Sequence, residues 1–133
     1  MDCPFCRRAS GETPTRVIYE NDHALVFLSD RGFEDGHMVA VPKKHVENIL
    51  DCDEATLGHL MAAVKKVANH IVDNCGYGGV NLISASGKAA DQSVFHFHIH
   101  LIPRKMGDGV EAWPPFAGAK CDADEMFETL RMK

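Results

Sequence analysis

Three histidines stand at every second position of one apolar segment, as His96, His98 and His100 within the run 94–102 (VFHFHIHLI). Successive side chains of a β-strand point to opposite faces, so a period of two predicts a strand here, ended by Pro103. The three imidazoles would share one face. The other face is apolar and is expected to pack in the core: Phe95, Phe97, Ile99 and Leu101.

A face that carries three imidazoles is not explained by packing, because buried polar groups need hydrogen-bond partners. Neutral imidazole serves as a nucleophile, as an acid or base, and as a metal ligand. In one interpretation, one ring attacks phosphorus while its neighbours donate to phosphate oxygens or to the leaving group. In the other, the three rings hold a catalytic metal ion. Gln92 and Ser93 stand at the start of the same segment, within reach of the same pocket.

Cys3 and Cys6 form a C-x-x-C pair close to the N-terminus. Two cysteines and two histidines are a ligand set of tetrahedral structural zinc, and His45 and His96 are the best histidine candidates. A thioredoxin-like redox pair should follow a strand, and no strand precedes this pair. Two unpaired surface thiols are the third interpretation. A zinc ion would pin an N-terminal segment that otherwise frays.

The remaining pattern predicts an α+β domain. Apolar residues at three- and four-residue steps indicate a helix from about Asp53 to Cys75, with Asp51 as its N-cap and Gly76 as its stop. A short helix is expected over 122–132. Further strands are expected at 16–20, 23–28, 37–41 and 79–84. Strands joined by tight turns beside one main helix favour an antiparallel sheet.

Composition limits the partners. The chain has 133 residues, the length of one domain, and a formal net charge of −5. Binding to nucleic acid or to an anionic membrane needs a basic surface, so neither partner is expected. No apolar run reaches the length of a membrane span, and no signal-peptide pattern opens the chain. With an odd number of cysteines, five, this favours a cytoplasmic protein with reduced thiols.

The segment 92–104 (QSVFHFHIHLIPR) strongly resembles the histidine triad (HIT) motif, Q-x-V-x-H-x-H-x-H-x-x-P-R. A second segment, 36–45 (GHMVAVPKKH), is similar to the family's block G-H-x-L-V-x-P-K-x-H. Cys3 and Cys6 resemble the cysteine pair of the zinc-binding bacterial members. The resemblance extends over most of the chain.

The resemblance implies one HIT domain over residues 1–133: an α+β, HIT-like fold with a five-stranded antiparallel sheet, one long helix and a short C-terminal helix. It implies a homodimer in which two sheets join. It also implies a nucleotide-binding hydrolase or transferase acting on the α-phosphorus of a nucleoside phosphate derivative, either a phosphoramidate or a dinucleoside polyphosphate. His98 takes the position of the nucleophile, which forms a nucleotidyl-histidine intermediate that water then cleaves.

Roles for other residues follow from the same resemblance. The expected catalytic residues are His98, His100, Ser93 and Gln92. The expected nucleotide- and phosphate-binding residues are His37, Ser29, Asn81 and His100. The expected ligands of a structural zinc ion are Cys3, Cys6, His45 and His96. Trp113-Pro114-Pro115 resembles an element that reaches the site of the partner subunit in the nucleoside phosphoramidase branch.

Three positions depart from the family pattern. Ser29 and Ala85 stand where an Asp and an Asn usually contact the ribose, and Asp91 replaces a Gly before Gln92. An alternative function is therefore a nucleotide-binding or sensing module with little turnover and altered ribose recognition. A second alternative is an interaction protein whose dimer surface is its function.

Overall fold

Five strands form one antiparallel sheet, which confirms the expected α+β class. The computed structural model describes residues 2–132, so Met1 and Lys133 of the expected domain lie outside the described residues. The strands are β1 (Val17–Glu20), β2 (Ala24–Leu28), β3 (Met38–Pro42), β4 (Gly79–Ile83) and β5 (Ile99–Arg104). Their order across the sheet is β1-β2-β3-β5-β4. The helices are α1 (Pro4–Ala9), α2 (Glu54–Asn74) and α3 (Ala123–Leu130), with a 3₁₀ turn at Lys88–Ala90.

The long helix α2 covers one face of the sheet. Its buried side repeats at three- and four-residue steps through Leu60, Val64, Val67 and Ile71, as the sequence predicts. These side chains pack with strand residues into the larger core, which includes Val26, Ala40, Phe97, Ile99 and Leu101. Burial of this stripe is what fixes the helix on the sheet.

The N-cap of α2 is Asp53, so the prediction of Asp51 is wrong. The Asp53 carboxylate accepts a hydrogen bond from the Thr56 N–H at 3.1 Å. Asp51 instead accepts from the N–H groups of Glu47 and Asn48, at 3.0 and 2.9 Å, and closes the preceding turn. The helix ends as predicted, with Gly76 at a φ of 83°, which a residue without a Cβ adopts readily.

The opposite face carries a smaller apolar cluster beneath α1. Leu25, Phe27, Val39 and Val41 are buried there, with Phe5 and Ala9 of α1 packed on them. The sequence did not predict α1, because six residues are too few for a periodic pattern. Its local signals are Pro4 in the first turn and the Cys3 sulfur, which accepts from the Cys6 N–H at 3.4 Å.

The histidine segment differs in extent from its prediction. The strand β5 begins at Ile99, so His96 and His98 precede it, and it runs through Pro103 to Arg104. Pro103 is tolerated because β5 there pairs with Val80 of β4 beyond the end of its pairing with β3. The chain bends at 94–96, which leaves Phe95 37% exposed and outside the expected core. Phe97, Ile99 and Leu101 are in the core as predicted.

The C-terminal segment holds the expected short helix, α3, on an exposed stretch of chain. Trp113 is 76% exposed and Phe127 61% exposed. The expected reach of Trp113-Pro114-Pro115 into a partner subunit stays a prediction. Within residues 2–132, no helix combines the length and the apolar character that crossing a bilayer takes.

Candidate functional site

A cavity of about 390 Å³ lies between α1 and the outer face of the sheet. Phe27, Val39 and His100 are in register across β2, β3 and β5 and form a row along its floor. His98 and Ser93 of the histidine segment also line it, as does the loop after β2. The rest of the lining is Phe5, Arg8, Ser29, Asp30, Arg31, Phe33, His37 and Val94. The structure thus places the second and third triad histidines in one open pocket.

His98 is held in the orientation that a nucleophile needs. Its Nδ1 lies 2.8 Å from the carbonyl oxygen of His96, so Nδ1 carries the proton and donates it. The Nε2 atom therefore keeps its lone pair. The Phe5 ring meets the His98 ring edge-on at 5.0 Å. Burial lowers the pKa of His98, although its bond to the His96 carbonyl acts in the opposite direction, and the ring is neutral near pH 7.

His37 and His100 form a hydrogen-bonded relay with fixed proton positions. The Phe33 N–H donates to Nδ1 of His37 at 3.0 Å, so the His37 proton sits on Nε2. That atom lies 2.7 Å from Nδ1 of His100, which must accept. His100 therefore carries its own proton on Nε2, the remaining donor of a ring that lines the cavity. A phosphate oxygen is the natural acceptor for such a donor.

Burial keeps this relay uncharged. It lowers the pKa of His37. Burial, followed by the charges of His98 and His37, lowers the pKa of His100 to about 4. Both rings are therefore neutral at pH 7. An anion that enters the cavity would meet the directed N–H of neutral His100 and not an imidazolium.

Ser93 and Gln92 are adjacent but have different surroundings. Ser93 is exposed and lines the cavity beside His98, where its hydroxyl can donate. Gln92 is buried, and its side-chain oxygen accepts from the Asn48 amide at 3.2 Å and the Gly87 N–H at 2.8 Å. Its nitrogen donates to the carbonyls of Glu47 and Val94, at 2.7 and 3.0 Å. Gln92 therefore holds three segments together and does not line the cavity.

The expected nucleotide-contacting residues also differ in whether they line the cavity. Ser29 lines the cavity, whereas Asn81 lies along β4 with its side-chain oxygen bonded to the Arg104 guanidinium at 2.7 Å. Asp91 is exposed, lies outside the cavity lining and has a φ of 65°. This left-handed conformation is one that Asp tolerates better than most residues. Asp91, the acid that replaces the usual Gly, therefore lies where it would not contact a phosphate in the cavity.

Cys3, Cys6, His45 and His96 bring their ligand atoms within 4.8 Å of one another. The His96 Nδ1 lies 3.4 Å from the Cys3 sulfur and 3.1 Å from the His45 Nδ1. The Cys6 sulfur lies 3.3 Å from the His45 Nδ1. The four ligand atoms thus converge from three parts of the chain: the start of α1, the loop after β3 and the histidine segment.

The four residues fit a tetrahedral zinc ion. Zinc–sulfur bonds of about 2.3 Å and zinc–nitrogen bonds of about 2.0–2.1 Å place tetrahedral ligand atoms roughly 3.3–3.8 Å apart, close to the separations found. The Nε2 of His96 lies 2.8 Å from the Pro42 carbonyl and donates to it. Nδ1 is therefore left unprotonated toward the cluster, as a metal ligand must be. With His96 turned to this cluster, a catalytic metal site of all three triad histidines does not form.

Sequence reasoning missed several residues of the cavity. Phe5 and Arg8 escaped notice because α1 was not predicted, and Phe33 because it lies in a loop without periodicity. The only sequence signal for Phe33 is its place four residues before His37, a spacing that the Phe33 N–H uses to reach that ring.

Comparison with known proteins identifies the family. Residues 10–107 match the family model of the HIT domain. An uncharacterized HIT-like protein of Methanocaldococcus jannaschii is 38% identical over 130 residues, 97% of this chain and 98% of that protein. An adenylylsulfatase of Arabidopsis thaliana is 36% identical over 107 residues, 80% of this chain and 54% of that protein.

Solved structures agree. The crystal structure of a zinc-bound histidine triad family protein from Mycobacterium smegmatis has a TM-score of 0.79 and 34% identity, covering 84% of this chain and 81% of that one. The chain belongs to the histidine triad family, whose members are nucleotide-binding hydrolases and transferases. The resemblance found in the sequence is therefore confirmed.

The hydrogen bonds of the site predict its tautomers. Nitrogen-detected NMR of the full chain near pH 7 should show the proton on Nδ1 of His98 and on Nε2 of His37 and His100. On acidification His100 should stay neutral below pH 6 and titrate near about 4, since protonating Nδ1 breaks its bond to His37. A His100 proton on Nδ1, or titration near the ordinary pKa of about 6.5, would contradict the relay.

Proposed function

We propose that this protein hydrolyses or transfers the nucleotidyl group of nucleoside phosphate derivatives through a covalent intermediate on Nε2 of His98. The observation that carries the proposal is the bond from Nδ1 of His98 to the His96 carbonyl, which leaves a neutral ring with a free Nε2 lone pair in the cavity. Imidazole in that state is an effective nucleophile toward phosphorus.

In the first step, the Nε2 lone pair forms a bond to the α-phosphorus. The bond from phosphorus to the leaving group breaks, and its electron pair goes to the leaving group, which takes a proton from solvent. The His98 ring gains positive charge as this bond forms. The His96 carbonyl, 2.8 Å from Nδ1, stabilises that charge because the hydrogen bond strengthens when the donor becomes cationic.

In the second step, water attacks phosphorus and gives up a proton to solvent, while the bond to Nε2 breaks and returns its electron pair to the ring. The products are a nucleoside monophosphate and neutral His98. In both steps the Nε2–H of His100, positioned by His37, and the Ser93 hydroxyl hold the non-bridging oxygens. Such positioning and charge stabilisation are the main contributions of a protein to phosphoryl chemistry.

The substrate class that we propose is a nucleoside phosphoramidate or a dinucleoside polyphosphate. The Arabidopsis relative, an adenylylsulfatase, adds a nucleotidyl sulfate as a third derivative to test. Gln92 acts in this proposal by positioning the loop that carries Ser93, and Asn81 by holding Arg104. The absence of nucleic-acid binding and the cytoplasmic location stay predictions.

Replacing the nucleophile should separate binding from turnover. His98→Ala should lower kcat for an adenosine phosphoramidate or a dinucleoside polyphosphate by at least about 10³-fold, since no other group can form the intermediate. The matched control is His70→Ala on the exposed face of α2. Quenched-flow trapping of labelled nucleotide on wild-type protein measures the adduct directly. Turnover by His98→Ala at the wild-type rate would refute the mechanism, and AMP binding without turnover by the wild type would support the sensing alternative.

We also propose that Cys3, Cys6, His45 and His96 hold a structural zinc ion, as their geometry and the zinc-bound Mycobacterium relative suggest. The ion would join α1 to the sheet and to the catalytic segment. Since Cys3 and Cys6 precede the matched range 10–107, the ion would join the N-terminal residues to the HIT domain, and one domain over residues 1–133 stays a proposal.

Loss of one thiolate should remove the metal and loosen α1. Protein purified without added metal should contain about one zinc per chain, and Cys6→Ser should lose it together with several kcal/mol of unfolding free energy. The control is Cys121→Ser, at an exposed cysteine outside the cluster. Elemental analysis and denaturant unfolding measure both effects. Wild-type protein without zinc, or equal metal content in the two variants, would refute the site.

A homodimer through β4 is the third part of the proposal. β4 is an edge strand, and Leu82 and Ile83 are 46% and 36% exposed. An edge with apolar side chains is a template for pairing with another strand, so two copies would join their sheets.

Charge at this edge should dissociate the dimer. Leu82→Lys should raise the dimer dissociation constant at least about tenfold, since a charge would be buried in the joint. Val17→Lys, at the other edge of the sheet, is the control. Sedimentation equilibrium measures both. A wild-type monomer at all concentrations, or a greater effect of the Val17 change, would contradict pairing through β4.

A further inference from the structure

The end of the cavity at Phe27, two strands from His100, carries charge. Arg8 covers this end, and Arg31 and Asp30 also line the cavity. Arg8 makes an ion pair with Asp30 at 2.8 Å, and only 17% of the Arg8 side chain is exposed. Its other terminal nitrogen bonds to the Pro14 carbonyl and the Thr15 hydroxyl, both at 3.3 Å. The Arg8 guanidinium is therefore fixed and poorly hydrated.

Arg8 also covers the ring of Phe27, which would otherwise be accessible to a ligand. The guanidinium carbon of Arg8 lies 4.9 Å from the centre of the Phe27 ring, and Phe27 is 3% exposed. A flat cation thus covers the aromatic floor of this end. A group entering the cavity meets positive charge there instead of an apolar surface.

The charges do not cancel. Asp30 is the carboxylate of this group, and one of its oxygens also accepts from Arg16 at 3.1 Å. Asp30 is thus paired with Arg8 and Arg16 and not with Arg31. The cavity lining therefore carries two arginines and one carboxylate, and the second ion pair of that carboxylate, to Arg16, lies outside the lining. In a chain with a net charge of −5, this local positive excess points to an anionic ligand.

The separation of the two ends suits two phosphates of one small ligand. Phe27, below Arg8, lies two strands from His100 in the same row. Two strand spacings amount to about 10 Å. The α-phosphate at His98 and His100 would occupy one end. A second phosphate on the opposite side of the sugar would extend toward the arginines, whose guanidinium groups bind phosphate through paired N–H donors.

We propose that Arg8 and Arg31 form a second anion subsite, which takes a phosphate carried on the sugar of the substrate. The preferred nucleotides would then be 5′-nucleotidyl derivatives that bear a 3′- or 2′-phosphate. This inference rests on the proposed function, because it takes the reacting phosphate to sit at His98. It makes Arg31 and Arg8 residues that determine specificity at this site.

Binding measurements test the subsite without requiring turnover. Isothermal titration of the full chain should compare adenosine 5′-monophosphate, ADP, adenosine 3′,5′-bisphosphate and adenosine 2′,5′-bisphosphate. At least one sugar bisphosphate should bind about tenfold tighter than the monophosphate, with a preference that falls as salt is added. ADP carries its extra phosphate beyond the 5′ end, so it should not share this gain.

Variants assign the gain to the arginines. Arg31→Gln should reduce the preference for the bisphosphate over the monophosphate to below about twofold. Arg8→Gln should have the same effect on the preference, with zinc content and circular dichroism checking that α1 stays in place. Arg16→Gln is the matched control, since Arg16 pairs with the same carboxylate but does not line the cavity.

The outcomes separate the two proposals. Equal affinity for monophosphate and both bisphosphates, or equal gains from ADP and a bisphosphate, would overturn the subsite and leave the nucleotidyl site intact. An undiminished preference in Arg31→Gln together with Arg8→Gln would also overturn it. Failure of all four nucleotides to bind would overturn the proposed function itself.

Discussion

The buried residue His96 connects the cysteine–histidine cluster, the sheet and His98. Its side chain is inaccessible to solvent, with Nδ1 in the cysteine–histidine cluster and Nε2 bonded to the Pro42 carbonyl at the end of β3. Its own carbonyl accepts the proton of Nδ1 in His98. The orientation of the His98 ring therefore depends on a residue whose own ring is held at both nitrogens. A buried imidazole with every polar atom paired is expensive to disturb, which is why it can fix its neighbours.

The same constraint accounts for the placement of α1. Six residues cannot form a stable helix alone. Cys3 and Cys6 hold its start to the cluster, Phe5 packs on His98, and Arg8 ties its last turn to Asp30. The short helix thus becomes a wall of the cavity, and it supplies the aromatic contact of His98 and the cation over Phe27. The cysteine–histidine cluster and the cavity are joined through a few contacts of one small element.

Much of this architecture could be predicted from the pattern of residues. The period of two placed Phe97, Ile99 and Leu101 in the core, and the three- and four-residue steps placed α2. The identity of the N-cap residue of α2 was not predictable. Asp51 and Asp53 both suit an N-cap, and only the turn at Glu47 and Asn48, which uses the Asp51 carboxylate, decides between them. The bend that exposes Phe95 and the arginines around Asp30 depend on contacts between segments distant in sequence. The resemblance supplied roles for the histidines, but it could not show that the side-chain amide of Gln92 is hydrogen-bonded to the surrounding loops.

The two faces of the sheet are covered very unequally, by a helix of 21 residues on one side and one of six on the other. Free energies of local opening follow the buried contacts of each unit, so α1 belongs to a less protected part of the molecule than β2, β3 and α2. The His98 ring packs on Phe5 of α1, on the less protected side. Heating or mild denaturant would therefore disassemble the cavity in a sub-global fluctuation while the backbone amides of the central strands still resist exchange.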